Sequence, residues 1–163
     1  MQHQAKRGYY VKKWLSLIGW IVALQLVGFL IGQLTQTGVS TWYQTIPQSS
    51  LTPPNWVFPV VWCILYIMVA IAGWSLWTKH CHLNKAKTAY MIQLLLNWSW
   101  TPIFFGAHMT GLALGVLAVI VVATFMTICF TWKQARLVAY LLLPYLIWCG
   151  FAAYLNGYIA FHI

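Results

Sequence analysis

The sequence contains no aspartate and no glutamate in 163 residues. A chain without carboxylate side chains has no carboxylate general base and no carboxylate proton relay. Small proton-coupled transporters are therefore poor candidates. The sequence also lacks a glycine-rich phosphate loop after a strand and a nucleophile with a recognisable base motif, so conventional hydrolase or kinase chemistry is not expected.

Charge of either sign is scarce, since only 6% of the residues are charged while 62% are apolar and eleven are tryptophan. Ordinary soluble domains do not have this composition. We therefore predict an all-α, multi-pass integral membrane protein in which residues 1–163 form one domain. The nine basic residues lie in short clusters between apolar segments, so we interpret them as topology signals and expect no nucleic-acid partner.

Five apolar stretches are long enough to be membrane-spanning helices, because about 20 helical residues cover the roughly 30 Å hydrocarbon core. The predicted spans lie near 14–34, 55–77, 88–105, 111–131 and 137–161. Residues 35–54, an uncharged loop rich in proline and aromatics, are predicted to lie on the bundle as a lid. An interfacial aromatic belt would explain the same composition.

The basic residues alternate between the two sides of this predicted bundle. They occur before the first span, between the second and third, and between the fourth and fifth, as Lys6, Arg7, Lys12, Lys13, Lys79, Lys85, Lys87, Lys133 and Arg136. Such alternation follows the positive-inside rule and predicts an inner N-terminus and an outer C-terminus. The short N-terminal tail without a transit-peptide pattern favours a bacterial cell envelope membrane.

The cysteines do not predict a disulfide framework or a metal centre. Three of the four lie inside apolar stretches, where a thiol behaves as a small apolar group. Cys81 lies between His80 and His82, but adjacent ligands on a short loop rarely converge on one ion. We expect no metal site and no required cofactor.

Aromatic and small residues share faces of two predicted helices, which indicates either core packing or space for a flat apolar ligand. The faces comprise Phe58, Trp62, Tyr66, Ala70, Gly73 and Trp77 in the second helix and Tyr145, Trp148, Ala152 and Asn156 in the fifth. Asn97, with Trp100 and Thr101 on nearly the same face of the third helix, either joins helices by hydrogen bonds or contacts a ligand.

Three sequence blocks and several shorter pairs resemble the translocator protein family, also called tryptophan-rich sensory or peripheral benzodiazepine receptor-like proteins. The resemblance spans Trp42 to about Gly157. Its motifs are Trp42-Tyr43, Pro53-Pro54-Asn55-Trp56-Val57-Phe58-Pro59-Val60-Val61-Trp62, Leu65-Tyr66, Leu96-Asn97-Trp98-Ser99-Trp100-Thr101-Pro102-Ile103-Phe104-Phe105-Gly106, Pro144-Tyr145-Leu146-Ile147-Trp148, Phe151-Ala152 and Leu155-Asn156.

The resemblance implies a five-helix bundle, often dimeric, that binds porphyrins, haem, sterols or synthetic aromatic molecules in a pocket under the first loop. The expected ligand-binding residues are Tyr43, Pro53, Trp62, Tyr66, Asn97, Trp100, Trp148 and Ala152. The expected partners are membrane lipid, porphyrin-like or sterol-like molecules and a second copy of the chain. The glycine pairs Gly28/Gly32 and Gly111/Gly115 fit packing within the bundle or dimerisation equally.

Two other functions are consistent with the sequence. The resemblance also implies a possible porphyrin-degrading enzyme that uses light and oxygen, with Trp62 and Trp148 as electron donors. The other alternative is a structural or partner-binding membrane protein whose aromatics only pack. Since the predicted outer side has no Lys or Arg, His108 is a candidate contact for an anionic ligand, which would then bind more tightly in mild acid.

Overall fold

The computed structural model describes residues 2–163, with side chains from Lys12 onward, and this part of the chain is helical without strands. Lys6 and Arg7 lie outside the described side chains. Five long helices and one single-turn helix are present. They are α1 (Gln2–Ser40), α2 (Trp42–Thr45, the single turn), α3 (Val57–Thr78), α4 (Asn84–Thr101), α5 (Thr110–Thr131) and α6 (Arg136–His162).

Four helices of the described chain, α1, α3, α5 and α6, are long and apolar enough to cross a membrane. The fifth long helix, α4, has 18 residues and begins with the polar sequence Asn84-Lys85-Ala86-Lys87. The predicted all-helical membrane protein is confirmed at this level. The crossing of α4 and the orientation of the termini stay predictions.

The first helix extends past its predicted end at Leu34 and reaches Ser40. Thr35 is buried and donates its hydroxyl hydrogen to the carbonyl oxygen of Ile31 at 2.9 Å. At Gly38 the helix packs directly on the backbone carbonyl of Phe105, where a Cβ atom would overlap that oxygen. The local bond of Thr35 and the tertiary contact of Gly38 together override the low helix propensity of threonine and glycine. The lid is therefore shorter than predicted, and we use this name for residues 41–56.

Helix α4 begins one turn before its predicted start at Thr88 and changes geometry at Pro102. Proline lacks the N–H that would continue the α-helical ladder, and residues Pro102–Gly106 form a π-helical turn. The amide of Ala107 donates to the carbonyl of Pro102 at 2.9 Å to close this turn. The other helix prolines lie in the first turn of α3 and inside α6.

The helices pack as a ring in the order α1, α3, α6, α5, α4, and α1 also contacts the π turn to close it. One end of the ring, which we call the basic end, carries residues 12–13, 79–87 and 132–136. The segments of α3, α4, α5 and α6 next to the basic end contain much of the buried core. Buried Thr124, Thr127 and Thr131 donate to carbonyls one turn earlier in α5, so their hydroxyl hydrogens need no partner across the core.

Of the four glycines in the two predicted pairs, only Gly28 is in close contact, and Gly32 has no neighbouring atom within 4 Å of a Cβ placed on it. A Cβ at Gly28 would lie 2.6 Å from the ring of Tyr66, so this glycine permits close packing of α1 on α3. Gly111 and Gly115 have no neighbouring atom within 4 Å of such a Cβ. Gly28 thus serves packing within the bundle, whereas the α5 pair lies on the outside of the described chain.

Candidate ligand cavity

A cavity of about 760 Å³ lies at the end of the ring opposite the basic end. Its volume falls within the roughly 300–1,000 Å³ of small-molecule sites. The lining comes from α1, the lid, α3, the end of α4 with its π turn, and α6. Helix α5 contributes no lining residue among those described, because it packs behind α4 and α6.

Most of the residues predicted from sequence converge on this cavity. Seven line it, namely Tyr43, Trp62, Tyr66, Asn97, Trp100, Trp148 and Ala152. Pro53 and His108 are not among its described lining residues. The structure thus brings together side chains from the lid and from three helices. Tyr43 and Ala152, the first and last of them in the sequence, are more than 100 residues apart.

The aromatic wall is formed by α3 and α6. The rings of Trp62 and Tyr66 lie 5.6 Å apart, and those of Phe58 and Trp148 lie 6.0 Å apart in an edge-to-face arrangement. Both separations are favourable for aromatic pairs. Further along the same α3 stripe, Gly73 is buried against Tyr90. The stripe therefore has two roles, since its first part lines the cavity and its last part packs the core.

A hydrogen bond fixes one polar group at the cavity. The hydroxyl of Tyr66 donates to Oδ1 of Asn97 at 2.7 Å, which joins α3 to α4. Because this oxygen is engaged, the Asn97 amide presents its N–H groups, which have no hydrogen-bond partner among the described residues. Asn97 therefore has a free N–H donor at the cavity, which is complementary to a carbonyl or ring-nitrogen acceptor.

A second amide holds Trp100 at the cavity. The indole N–H of Trp100 donates to Oδ1 of Asn156 at 3.2 Å, and Nδ2 of Asn156 donates to the carbonyl of Thr110 at 2.8 Å. Asn156 thus connects α4, α6 and the start of α5. Its position on a face of α6 was recognised in the sequence, but its hydrogen bonds across the bundle were not.

The lid is held near its start and at its middle. Tyr43 is buried, and its ring meets that of Phe105 at 5.3 Å. The carbonyl of Tyr43 accepts a hydrogen bond from Nε2 of Gln48 at 2.8 Å. Further along, the hydroxyls of Ser49 and Tyr154 are hydrogen-bonded at 3.0 Å. These contacts attach the lid to the π turn on one side and to α6 on the other.

His108 has a conformational role that the sequence did not reveal. Its φ of 58° places it in the left-handed region after the π turn, and the following Met109 amide donates to the carbonyl of Ile103 at 3.1 Å. This geometry ends the turn as glycine often does. The His108 ring stacks on Trp42 at 4.2 Å, so it contacts the lid while an anion contact stays a prediction.

Helix α1 forms a cavity wall that the sequence-based site prediction missed. It contributes the amides of Gln25, Gln33 and Gln36 beside Phe29. Gln25 also donates from Nε2 to the carbonyl of Cys63 at 2.7 Å, which joins α1 to α3. The available signal was the recurrence of glutamine in an otherwise apolar helix, where an amide needs a polar partner.

The described cavity lining contains no lysine, arginine or histidine, and the chain has no acidic residue. Its polar groups are hydroxyls, amides and the indole N–H groups of four tryptophans, together with the thiol of Cys63. No group of three His or Cys residues able to hold a metal occurs in the described part of the chain. Such a lining suits a neutral aromatic or polycyclic molecule with hydrogen-bonding edges.

Comparison with known proteins gives the family of this chain. The TspO/MBR family model matches residues 20–162. The tryptophan-rich protein TspO of Archaeoglobus fulgidus is 32% identical over 87% of this chain and 93% of its own length. The translocator protein of Sus scrofa is 34% identical over 88% and 87%, and protein CrtK of Rhodobacter capsulatus is 35% identical over 71% and 74%.

The resemblance seen in the sequence motifs is confirmed by these matches. The apolar helices and the family together identify an integral membrane protein. The chain belongs to the TspO/MBR family.

Proposed function

We propose that this protein is a membrane receptor or translocator that binds a porphyrin, haem, sterol or other flat hydrophobic molecule in the cavity under the lid. The observation that carries the proposal is the cavity of about 760 Å³, which Trp62, Tyr66 and Trp148 line together with the amide of Asn97. Aromatic faces contribute dispersion and stacking, and the amide gives orientation. Translocator and sensory relatives support the same general role.

Binding to the purified protein in the dark tests this proposal. Protoporphyrin, haem, a sterol and a neutral synthetic aromatic compound serve as probes. Replacing Trp148 with leucine should weaken the affinity for whichever probe binds the unmodified protein by at least about tenfold, which corresponds to about 1.4 kcal/mol. Trp132→Leu is the matched control, because Trp132 lies near the basic end outside the cavity. Equal affinities of both variants and the unmodified protein would contradict the proposed site.

The uncharged lining makes the charge of the ligand a second test. A buried carboxylate is unfavourable without a cation, so the dimethyl ester of protoporphyrin should bind at least as tightly as the free diacid. His108→Ala tests whether the histidine on Trp42 contacts a carboxylate. If it does, the substitution should weaken binding of the diacid and leave the ester unchanged. An equal loss for both would indicate that His108 acts only on the lid.

Degradation of a bound porphyrin in light and oxygen is the second candidate function. It is supported by the presence of both Trp62 and Trp148 in the lining, where each can approach an excited ligand as an electron donor. The variant Trp62→Phe with Trp148→Phe should then retain dark binding better than light-dependent turnover. Loss of binding and turnover in equal proportion would reject an electron-transfer role and leave the receptor function.

We also propose that all five long helices cross the membrane, with the N-terminus and the basic end inside. Exposed Cys81 in the loop after α3 is a natural reporter. A membrane-impermeant maleimide should label it only after the cells are permeabilised, and Cys81→Ser should remove that labelling. Labelling of Cys81 in intact cells would show that the orientation is the opposite of the one proposed.

A homodimer is part of the same proposal. Its support is the pair Gly111 and Gly115 on the outside of α5, where no atom lies within 4 Å of the position that a methyl side chain would occupy. Small residues allow close helix approach in membranes. Gly115→Leu should shift the purified protein from dimer to monomer in sedimentation, whereas Gly19→Leu, at a glycine of α1 with equally open surroundings, should not. A dimer unaffected by Gly115→Leu would place the contact elsewhere.

A further inference from the structure

A second concave surface lies outside the bundle, between the end of α5 and α6 near the basic end. It is a groove of about 640 Å³. Its apolar part is formed by Phe125, Ile128 and Cys129 on α5 and by Leu143 and Leu146 on α6. Lys133 and Gln134 lie at its end, in the connection between the two helices. The groove shares no lining residue with the ligand cavity.

The dimensions of the groove fit a lipid chain lying along the helices. Leu146 lies ten residues after Arg136, the first residue of α6, which corresponds to about 15 Å of helix at 1.5 Å per residue. One leaflet of a roughly 30 Å hydrocarbon core is about 15 Å deep. The apolar part therefore covers most of one leaflet, and Lys133 lies where a headgroup would be.

Lys133 has no intramolecular counter-ion, because the chain contains no Asp or Glu side chain. Three of the other five lysines whose side chains are described, Lys13, Lys79 and Lys87, have aromatic partners, whereas Lys12 and Lys85 do not. The ammonium groups of Lys13 and Lys79 lie 5.8 and 5.0 Å from the ring of Trp74, and that of Lys87 lies 5.5 Å from the ring of Trp77. No such contact occurs for Lys133 among the described residues. Its charge is thus available to an external anion.

Lys133 lies at an end of the bundle that carries other basic residues. The ring nitrogen Nε2 of His82 is hydrogen-bonded to Oε1 of Gln134 at 3.0 Å. This bond joins the connection that carries Lys133 to the loop that carries Lys79. A second copy of the chain could not neutralise this region, because its side chains also include cations but no carboxylate.

We propose that this groove binds one anionic phospholipid, with an acyl chain between α5 and α6 and the phosphate at Lys133. A net negative headgroup is favoured over a zwitterionic one, since only the former compensates the unpaired charge. Basic pockets between helices commonly bind anionic headgroups, at about 1 kcal/mol per basic residue near the surface.

Native mass spectrometry with equimolar phosphatidylglycerol and phosphatidylcholine tests the proposal on the full-length protein. The unmodified protein should retain one phosphatidylglycerol in preference to phosphatidylcholine. Lys133→Gln should reduce this preference about fivefold, the equivalent of about 1 kcal/mol. The matched control is Lys85→Gln, which removes an exposed charge of the same end outside the groove and should leave the preference within about twofold.

Cys129→Phe fills the groove without changing any charge and should lower retention of this phosphatidylglycerol. Unchanged helix content by circular dichroism and unchanged affinity for the cavity ligand show that the variants remain folded. The proposal is overturned if phosphatidylglycerol has no preference, or if Lys133→Gln and Lys85→Gln reduce it equally. It is also overturned if oxidative cross-linking through Cys129 joins two copies and Cys129→Ser abolishes the cross-link, because a second copy would then cover the groove.

Discussion

The two ends of the bundle solve different physical problems with the same restricted set of residues. At the cavity end, aromatic rings and amides surround an open volume and the described lining has no permanent charge. At the basic end, cations lie over a tightly packed core in which the threonine hydroxyls of α5 bond to carbonyls of their own helix. The difference teaches that a protein without acidic side chains can separate its charged residues from an uncharged cavity along the helix axis.

Glycine substitutions should perturb the two ends most strongly and in different ways. Gly38→Ala would bring a methyl group onto the backbone carbonyl of Phe105, which cannot rotate away. We expect a loss of about 1–3 kcal/mol in stability together with weaker ligand binding. Thermal unfolding in detergent and a binding titration measure the two effects.

Gly73→Ala is the corresponding change near the basic end. Its methyl group would overlap the hydroxyl of Tyr90 and approach Trp20 to 2.6 Å. Because Tyr90 is buried and donates to the carbonyl of Val69 at 2.8 Å, we expect a similar loss of stability with little change in ligand affinity. Gly19→Ala, at an exposed glycine of α1 with open space around it, is the control. Equal effects of Gly38→Ala and Gly73→Ala on affinity would remove the distinction between the ends.

Tyr66→Phe should have the next largest effect. It leaves Asn97 without the hydroxyl that donates to Oδ1 at 2.7 Å. Hydrogen bonds between membrane helices contribute on average about 0.6 and at most about 1.7 kcal/mol, so we expect a loss of stability in this range. Ligand affinity then measures whether the Asn97 amide, freed from the Tyr66 hydroxyl, also changes its orientation at the cavity. An affinity and a melting temperature both unchanged would show that this bond does not orient Asn97.

The lid gives a smaller, kinetic prediction. Ser49→Ala removes the hydrogen bond to Tyr154, which should contribute about 0.5–1.5 kcal/mol to the closed lid. We expect ligand release to accelerate about two- to tenfold in stopped-flow measurements. Ser50→Ala, at an exposed neighbouring position, should leave release unchanged. If both variants release ligand at the same rate as the unmodified protein, the lid does not control exit.

The smallest effect is expected at the basic end. Lys79→Gln removes one cation from the face of Trp74, and an exposed contact of this kind contributes about 0.5–1 kcal/mol. Because Lys13 also lies over Trp74, part of the interaction remains. The melting temperature should fall slightly and ligand affinity should not change. A change in affinity would mean that the two ends are coupled.

The sequence predicted much of this architecture because its signals are local. Apolar length gave the five long helices, and recurrent rings on α3 and α6 gave Trp62, Tyr66 and Trp148, which share the cavity. The motif resemblance gave the family. The spacing of residues along one helix was sufficient to predict a cavity residue wherever that residue lies on a regular helix and points into the bundle.

The remaining features depend on contacts between distant segments. Helix α1 continues to Ser40 because Gly38 meets Phe105, a contact that no local pattern contains. His108 turns the chain after a π turn that begins at Pro102, so its ring reaches Trp42 instead of lining the cavity. The wall formed by Gln25 and its neighbours was missed because an apolar helix with few amides resembles any membrane span.

The contact between Gly38 and the π turn sets how the cavity can adapt to its contents. Two backbones meet there without an intervening side chain, so that point cannot become thinner and has no rotamer to change. A bulkier ligand must be accommodated at other parts of the cavity wall, by rotation of rings such as Trp148 or by displacement of the lid. The cavity therefore has one rigid wall, where α1 meets the π turn, and one deformable side, formed by α6 and the lid. We expect α6 and the lid to determine which different ligands the cavity can accommodate.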